Sequence, residues 1–213
     1  MILPAFSNIV AARNLYKMLE GWEKARQLIS SYFVSNPNND DELEVTVKTL
    51  LINGLYHTNL ESPLSVANHI LNLDMVDEKM QAGDIIVVDQ IASFDKLNLI
   101  SFGSKYAHFH NEKVFPLYDQ YVWKSLVYCW QGKSYPIHDY QTFYKIIDSF
   151  RKLAGLNYIS WADIDRYLWL LGMKKDLEKG KTEISKEVFN VYQTSVGKKL
   201  FQALEPSVKI AKK

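Results

Sequence analysis

The chain has 213 residues, of which 47% are hydrophobic and 23% charged, with nine glycines, six prolines and one cysteine. That balance excludes disordered, collagenous and low-complexity classes and leaves one compact soluble domain or two small lobes. Cys129 alone cannot build a disulfide framework, a cysteine-ligated zinc site or an iron–sulfur cluster, and it points to a reducing cytoplasm. No stretch reaches the roughly eighteen consecutive apolar residues of a membrane span, and Met1-Ile2-Leu3-Pro4 lacks the basic start of a signal peptide. The expectation is an untargeted monomer that meets no membrane, cytoplasmic and, in a bacterial source, associated with the nucleoid.

The net charge of +1 hides an asymmetry: +2 over residues 1–35, −8 over 36–90, +2 over 91–173 and +5 over 174–213. Phosphate binding needs local lysine and arginine and is opposed by carboxylates, so nucleic-acid contact would be confined to one face. Ordinary solvated helix faces explain the same numbers.

Helical periodicity dominates. Apolar positions three and four apart, from Leu15 through Trp22 to Ile29, predict a long first helix, broken by Asn36-Pro37-Asn38-Asn39. Asp40-Asp41-Glu42 supplies a cap and first-turn acids for a helix that ends near His57-Thr58-Asn59, and Ser62-Pro63 opens the next, to about Leu73. The β-branched run from Asp84 to Phe94 fits a strand or a helix, with its spacing favouring helix. Asp119 caps a helix carrying Val122, Trp123, Leu126 and Val127, a further helix spans about His138 to Ala154, and Ser160 caps one running through Leu171. Lys174 to Thr182 reads as a charged loop and Glu183 to Leu204 as a last helix. No repeat or long linker divides the chain, so residues 1–213 are expected to form a single helical domain, with the chemistry concentrated in about 85–130.

Leu99-Ile100-Ser101-Phe102-Gly103-Ser104-Lys105-Tyr106-Ala107 reads as a short glycine-bearing turn followed by a lysine in the first turn of the next helix, where a cation opposes the macrodipole by ~0.3–1 kcal/mol. Downstream, Phe115-Pro116-Leu117-Tyr118-Asp119 approaches in extended form and starts a helix. Paired, Lys105 and Asp119 resemble the helix-hairpin-helix family of base-excision DNA glycosylases, and most nearly its lysine-bearing 8-oxoguanine branch. The hairpin there reads approximately Leu-Pro-Gly-x-Gly-x-Lys-x-Ala; Leu99, Gly103, Lys105 and Ala107 match, and Ile100 and Ser101 depart. The specific part of the resemblance is Leu99 to Asp119. A weaker likeness covers Leu50 to Asn59.

The resemblance implies an all-α fold of two small helical lobes around a cleft, double-stranded DNA as partner, and no metal or organic cofactor. It implies that Lys105 attacks C1′ of the sugar as a neutral amine, a form that desolvation and a helix N-terminus favour, while Asp119 offsets positive charge on the sugar. Ser101, Gly103 and Ser104 would contact DNA at the hairpin, and His57, Thr58 and Asn59 would fill the gap left by an extruded base. Tyr106, His108, Tyr118 and Trp123, with Asp165 or Trp169 from a later helix, would line the base pocket, though most aromatics at helical spacing are core. The implied activity is excision of a damaged or modified base, 8-oxoguanine first, with associated lyase chemistry. His108 and His110, two apart, are poorly placed to share a metal on a helix. Two other classes fit the same residues: a DNA-binding or repair accessory protein without catalysis, and a helical protein-interaction module.

Overall fold

The computed structural model describes residues 1–132, 137–181 and 185–209, which hold twelve helices and two pairs of two-residue strands. The all-α expectation holds. No helix among the described residues is long and apolar enough to cross a membrane. The chain divides into two compact units: residues 1–24, 119–136 and 146–213, and residues 25–118 with 137–145.

The second of these units is built on α3 (Glu42–Tyr56), α4 (Pro63–Leu71), α5 (Val76–Ala82), α6 (Ile86–Ala92) and α7 (Ile100–His110). Helix α2 (Glu20–Ser35) and helix α9 (Tyr140–Leu153) each run through the division and contribute residues to both units. The Asp41 side chain caps α3 by accepting from the Glu44 amide at 2.9 Å. Helix α3 packs on α4 and α7, and α6 packs along α7. Of the expected run 84–94, residues 86–92 are helix, with Val87, Val88 and Ile91 fully buried, and Ser93–Phe94 is strand. Between α6 and α7 the chain makes an antiparallel hairpin of β2 (Ser93–Phe94) and β3 (Leu97–Asn98), turning at Asp95 with φ 54°.

In the other unit α10 (Trp161–Glu178) is the central element and packs on α8 (Gln120–Cys129) and α1 (Phe6–Tyr16). Ser160 accepts from the Asp163 amide at 3.2 Å as its cap. A Cβ at Gly172 would stand 2.4 Å from the Tyr121 carbonyl oxygen, so the α8–α10 crossing is possible only with glycine there. The buried Ser125 hydroxyl donates to the Leu168 carbonyl across the same crossing, at 2.5 Å. Helices α11 (Lys186–Gln193) and α12 (Ser195–Gln202) close the unit, and β1 (Ile2–Leu3) pairs with β4 (Val208–Lys209).

Several boundaries differ from the sequence reading. The expected long first helix is two helices, because Met18 and Leu19 bond back three residues, to Leu15 and Tyr16, and end α1 before α2 starts. The apolar period survives the break, which is why it reads as continuous. The short α5 was not expected; its Val76 and Met80 are the only residues it buries. Lys174 to Glu178 is the last turn of α10 and not a loop. The tail helix is broken at Thr194, whose hydroxyl caps α12 by accepting from the Gly197 amide. Thr182 and Glu183, where the expected loop ends and the expected last helix begins, lie outside the described residues.

Candidate functional site

The segment expected to be a turn is helix. Residues 100–110 form α7, and the reversal of chain direction comes earlier, in the β2–β3 hairpin, which closes where the Leu99 amide donates to the Ala92 carbonyl at 2.8 Å. Gly103 is thus not a turn residue or a phosphate cradle. A Cβ there would lie 2.9 Å from the Val88 carbonyl and 3.3 Å from Ala92, so its task is to let α6 and α7 touch. Lys105 is in the second turn of α7, and the macrodipole argument for its oddity lapses.

What makes Lys105 unusual is burial: it is only 2% exposed. Its Nζ donates to Ser101 Oγ at 2.8 Å, the Tyr118 carbonyl at 3.0 Å and the Ser101 carbonyl at 3.2 Å, and lies 5.8 Å from the Tyr56 ring centroid. Removing an ammonium from water costs several kcal/mol in a real protein and persists only where hydrogen bonds offset it.

The acceptors are held by a polar stripe along α7. Ser101, Ser104, Lys105 and His108 recur at helical spacing, and each reaches the extended segment 115–118 or the others on the stripe. The Tyr118 amide donates to the buried Ser104 Oγ at 3.0 Å, and His108 Nδ1 donates to the Phe115 carbonyl at 2.7 Å. That bond fixes the tautomer and leaves His108 Nε2 to accept from Arg26 at 3.4 Å; Arg26 in turn pairs with Glu112. Tyr140 fastens the same segment by donating to the Pro116 carbonyl at 2.7 Å. Ser101 and Ser104 therefore serve Lys105 and residues 115–118, a structural task distinct from the expected phosphate contact. His108 is fully buried and acts in this clasp, not on a pocket wall.

The expected wedge turn is in the same unit. Helix α3 ends at His57 in the left-handed region, φ 49°, and Asn59 repeats it at φ 55°. His57 and Asn59 are exposed. Asn53, which the sequence reading passed over, shapes the turn: its Oδ1 accepts from Thr58 Oγ1 at 3.1 Å and from the Leu60 amide at 2.9 Å. Tyr56, immediately before this turn, is the ring beside Lys105 and also contacts Phe109 at 5.7 Å between centroids.

Of the expected pocket residues in this unit, Tyr106 is fully buried and donates to Asn39 Oδ1 at 2.5 Å, which makes it core. Asn39 holds a wider knot: its amide and Nδ2 donate to Asp77 at 2.9 and 2.5 Å, and its Oδ1 also accepts from Lys48. Lys48 is fully buried, and desolvation lowers its pKa against the raising effect of Asp77. Burial, then the Lys48 charge, pushes His110 down to about 3, so its imidazole is neutral. Tyr118 stands edge-on to Phe143 at 5.1 Å.

In the other unit Asp119 caps α8, accepting from the Tyr121 amide at 2.7 Å. It follows Tyr118 directly in the chain. Trp169 meets Trp22 edge-on at 4.9 Å and Tyr16 at 6.4 Å, and Asp165, one turn earlier on α10, is half-buried. Nearby Asp163 bonds Arg13 at 2.7 Å and Arg166 at 3.1 Å; burial works to raise its pKa, but these partners and Ser160 outweigh it and the pKa is lowered. Trp123 lies with Lys124, Val127 and Tyr128 at a separate hollow. Cys129 is fully buried, and desolvation raises its thiol to about 12. Among the described residues no three histidine, cysteine or acidic side chains converge as a metal site would require.

This helical framework, carrying a buried lysine in the second helix of a hairpin-linked pair, has relatives. Residues 8–114 match the family described as the HI_0787 N-terminal domain, and the chain belongs to that family. The match contains α7 and Lys105 and ends before Asp119. An uncharacterized protein of Haemophilus influenzae (strain ATCC 51907 / DSM 11121 / KW20 / Rd) is 29% identical over 130 residues, covering 56% of this chain and 62% of that protein's length. No solved structure matches.

Proposed function

We propose that this protein is a DNA glycosylase that excises a damaged or modified base, with 8-oxoguanine as the first candidate, through Schiff-base chemistry at Lys105. The observation that carries the reading is local to one unit. A buried lysine lies in the second helix of a helix–hairpin–helix, and the ring beside it, Tyr56, leads directly into an exposed turn with two left-handed residues. An enzyme acting on a base in duplex DNA must hold the base outside the stack, at a cost of a few kcal/mol, and needs a polar element to occupy the gap. His57, Thr58 and Asn59 supply such an element.

In this mechanism the Lys105 amine attacks C1′ while the C1′–N bond breaks, its electron pair leaving with the base, which takes up a proton. Lysine then loses a proton to the ring oxygen as the C1′–O4′ bond opens, giving an iminium on C1′. Loss of a C2′ proton expels the 3′ phosphate and accounts for the lyase step. Asp119 is the carboxylate that the family resemblance assigns to the developing positive charge on the sugar. The oxygens of Ser101 and Tyr118 hold Nζ in one position before attack.

The test is incubation with duplexes carrying single modified bases, 8-oxoguanine first, with borohydride added to reduce any iminium. A covalent protein–DNA adduct formed by the wild type and lost in Lys105→Gln is the expected result. Trapping that persists in Lys105→Gln refutes the assigned role. Duplex binding without base release across a broad lesion panel would select a non-catalytic binder instead.

A further inference from the structure

The lysine-rich segment 174–181 plays no part in the reading above, yet its surroundings define a second site. The last turns of α10 face α8 across a hollow of about 650 Å³ within the unit that contains both helices. One wall carries Trp123, Lys124, Val127 and Tyr128, the other Lys175, Asp176 and Lys179, with Lys181 just beyond. Four ammonium groups thus line a space that holds a single carboxylate.

That carboxylate is already shared. Asp176 accepts from Lys124 at 2.9 Å and from Lys181 at 3.3 Å, and the two lysines lower its pKa against the opposing effect of burial. Lys175 sits 4.3 Å above the Tyr128 ring centroid and pairs with Glu178 and Glu205. Lys179 is exposed, and its side chain makes no hydrogen bond or ion pair among the described residues, while its amide donates to the Asp176 carbonyl at 3.1 Å. The walls themselves are apolar and aromatic, with Ile2 and Val127 beside Trp123 and Tyr128. A hollow with aromatic planes inside and cations at its edge complements a ligand that joins a flat ring to a phosphate.

We infer that this hollow binds a nucleoside phosphate, the ring against Trp123 and Tyr128 and the phosphate among Lys179, Lys181 and Lys124. Both a free nucleotide and one residue of a single strand present that chemistry. The site does not depend on the glycosylase reading, since Lys105 is outside this unit and its variants leave the hollow intact.

The full chain is titrated at low salt with ATP and with an oligothymidylate, read by intrinsic tryptophan fluorescence and by calorimetry. Saturable binding by either probe supports the inference; ATP binding identifies a free-nucleotide site and oligothymidylate alone a strand site. Trp123→Phe should abolish the fluorescence change, and Trp123→Ala should weaken binding roughly tenfold. The exposed pair Lys179→Glu and Lys181→Glu, folded by circular dichroism, should weaken it at least as much and flatten its salt dependence by roughly one unit of slope for each lysine–phosphate pair removed. The inference is overturned by absence of binding to either probe. It is equally overturned by binding indifferent to the lysine reversals, or by capture on phosphatidylglycerol vesicles with no nucleotide affinity.

Discussion

Gly103→Ala and Gly54→Ala form a matched pair that measures how closely α6 and α7 approach. Both glycines lie within helices, so each alanine gains up to ~1 kcal/mol of helix propensity, less for Gly54 near the end of α3. At Gly54 nothing lies within 4 Å of the added Cβ, and the gain should appear as a stabilisation of roughly 0.5–1 kcal/mol. At Gly103 the same atom meets the Val88 carbonyl at 2.9 Å and Ala92 Cβ and N at 3.3 Å. Two of these three atoms are backbone, so relief requires α6 to move as a body, an overpacking cost of ~1–3 kcal/mol. Because the propensity gain is largely common to both variants, their difference isolates the steric cost: Gly103→Ala should be less stable than Gly54→Ala by ~1–3 kcal/mol. Urea unfolding followed by circular dichroism gives that difference from midpoints at a common slope. Two variants equal within roughly 0.5 kcal/mol would mean that the glycine is not what sets the contact.

Other consequences follow from single groups. His110 has its pKa held at about 3, below the unfolded value near 6.5, so the unfolded chain takes up the proton first. The stability it contributes is complete above pH ~6.5 and falls as pH drops toward 3, by up to about 2 kcal/mol at pH 5; His110→Phe should flatten the wild-type slope between pH 7 and pH 5, and an unchanged slope would remove the assignment. Cys129 should resist a thiol reagent in the native protein and react at once in denaturant, whereas native-state labelling at the rate of a free thiol would contradict its burial. Ser104→Ala leaves the Tyr118 amide without the acceptor it now has and should cost ~1–3 kcal/mol in the same unfolding assay. If Lys105 acts as proposed, this variant should also slow adduct formation, since Tyr118 is one of the groups that position Nζ.

The helical class was legible because apolar period and capping chemistry agree: Asp41, Ser160 and Asp119 each cap the helix their position announces. The hairpin was misplaced for one reason. A glycine beside serines reads as a turn, but Gly103 is spent on helix contact, and the actual turn at Asp95-Lys96 carries no glycine. The α1–α2 break was hidden by a different signal, the apolar period that runs through it, and the nearby Gly21 lies in the first turn of α2. Within the site, Lys105 was found by motif, while its environment was not. The signal was present in Ser101, Ser104, Lys105 and His108, four polar residues at three- and four-residue spacing on a helix otherwise apolar enough to be buried. Asn53 gave no such signal, because its partners, Thr58 and Leu60, depend on a left-handed residue that the sequence does not announce.

The spacing of Gly103 and Lys105 has a physical reading of its own. Residues two apart on an α-helix point to nearly opposite sides. Gly103 lets α7 close on α6 on one side, and the lysine two positions later is turned toward Tyr118 and Tyr56 on the other. Between them Phe102 and Tyr106 fill a third face, where Tyr106 contacts Phe33 and reaches Asn39. A helix buried on every side cannot rotate to expose its lysine without breaking the α6 contact, the aromatic face and the serine clasp together. The side chain is thereby fixed by packing. If Lys105 is the nucleophile proposed above, pre-ordering of this kind is what attack on a single carbon atom requires.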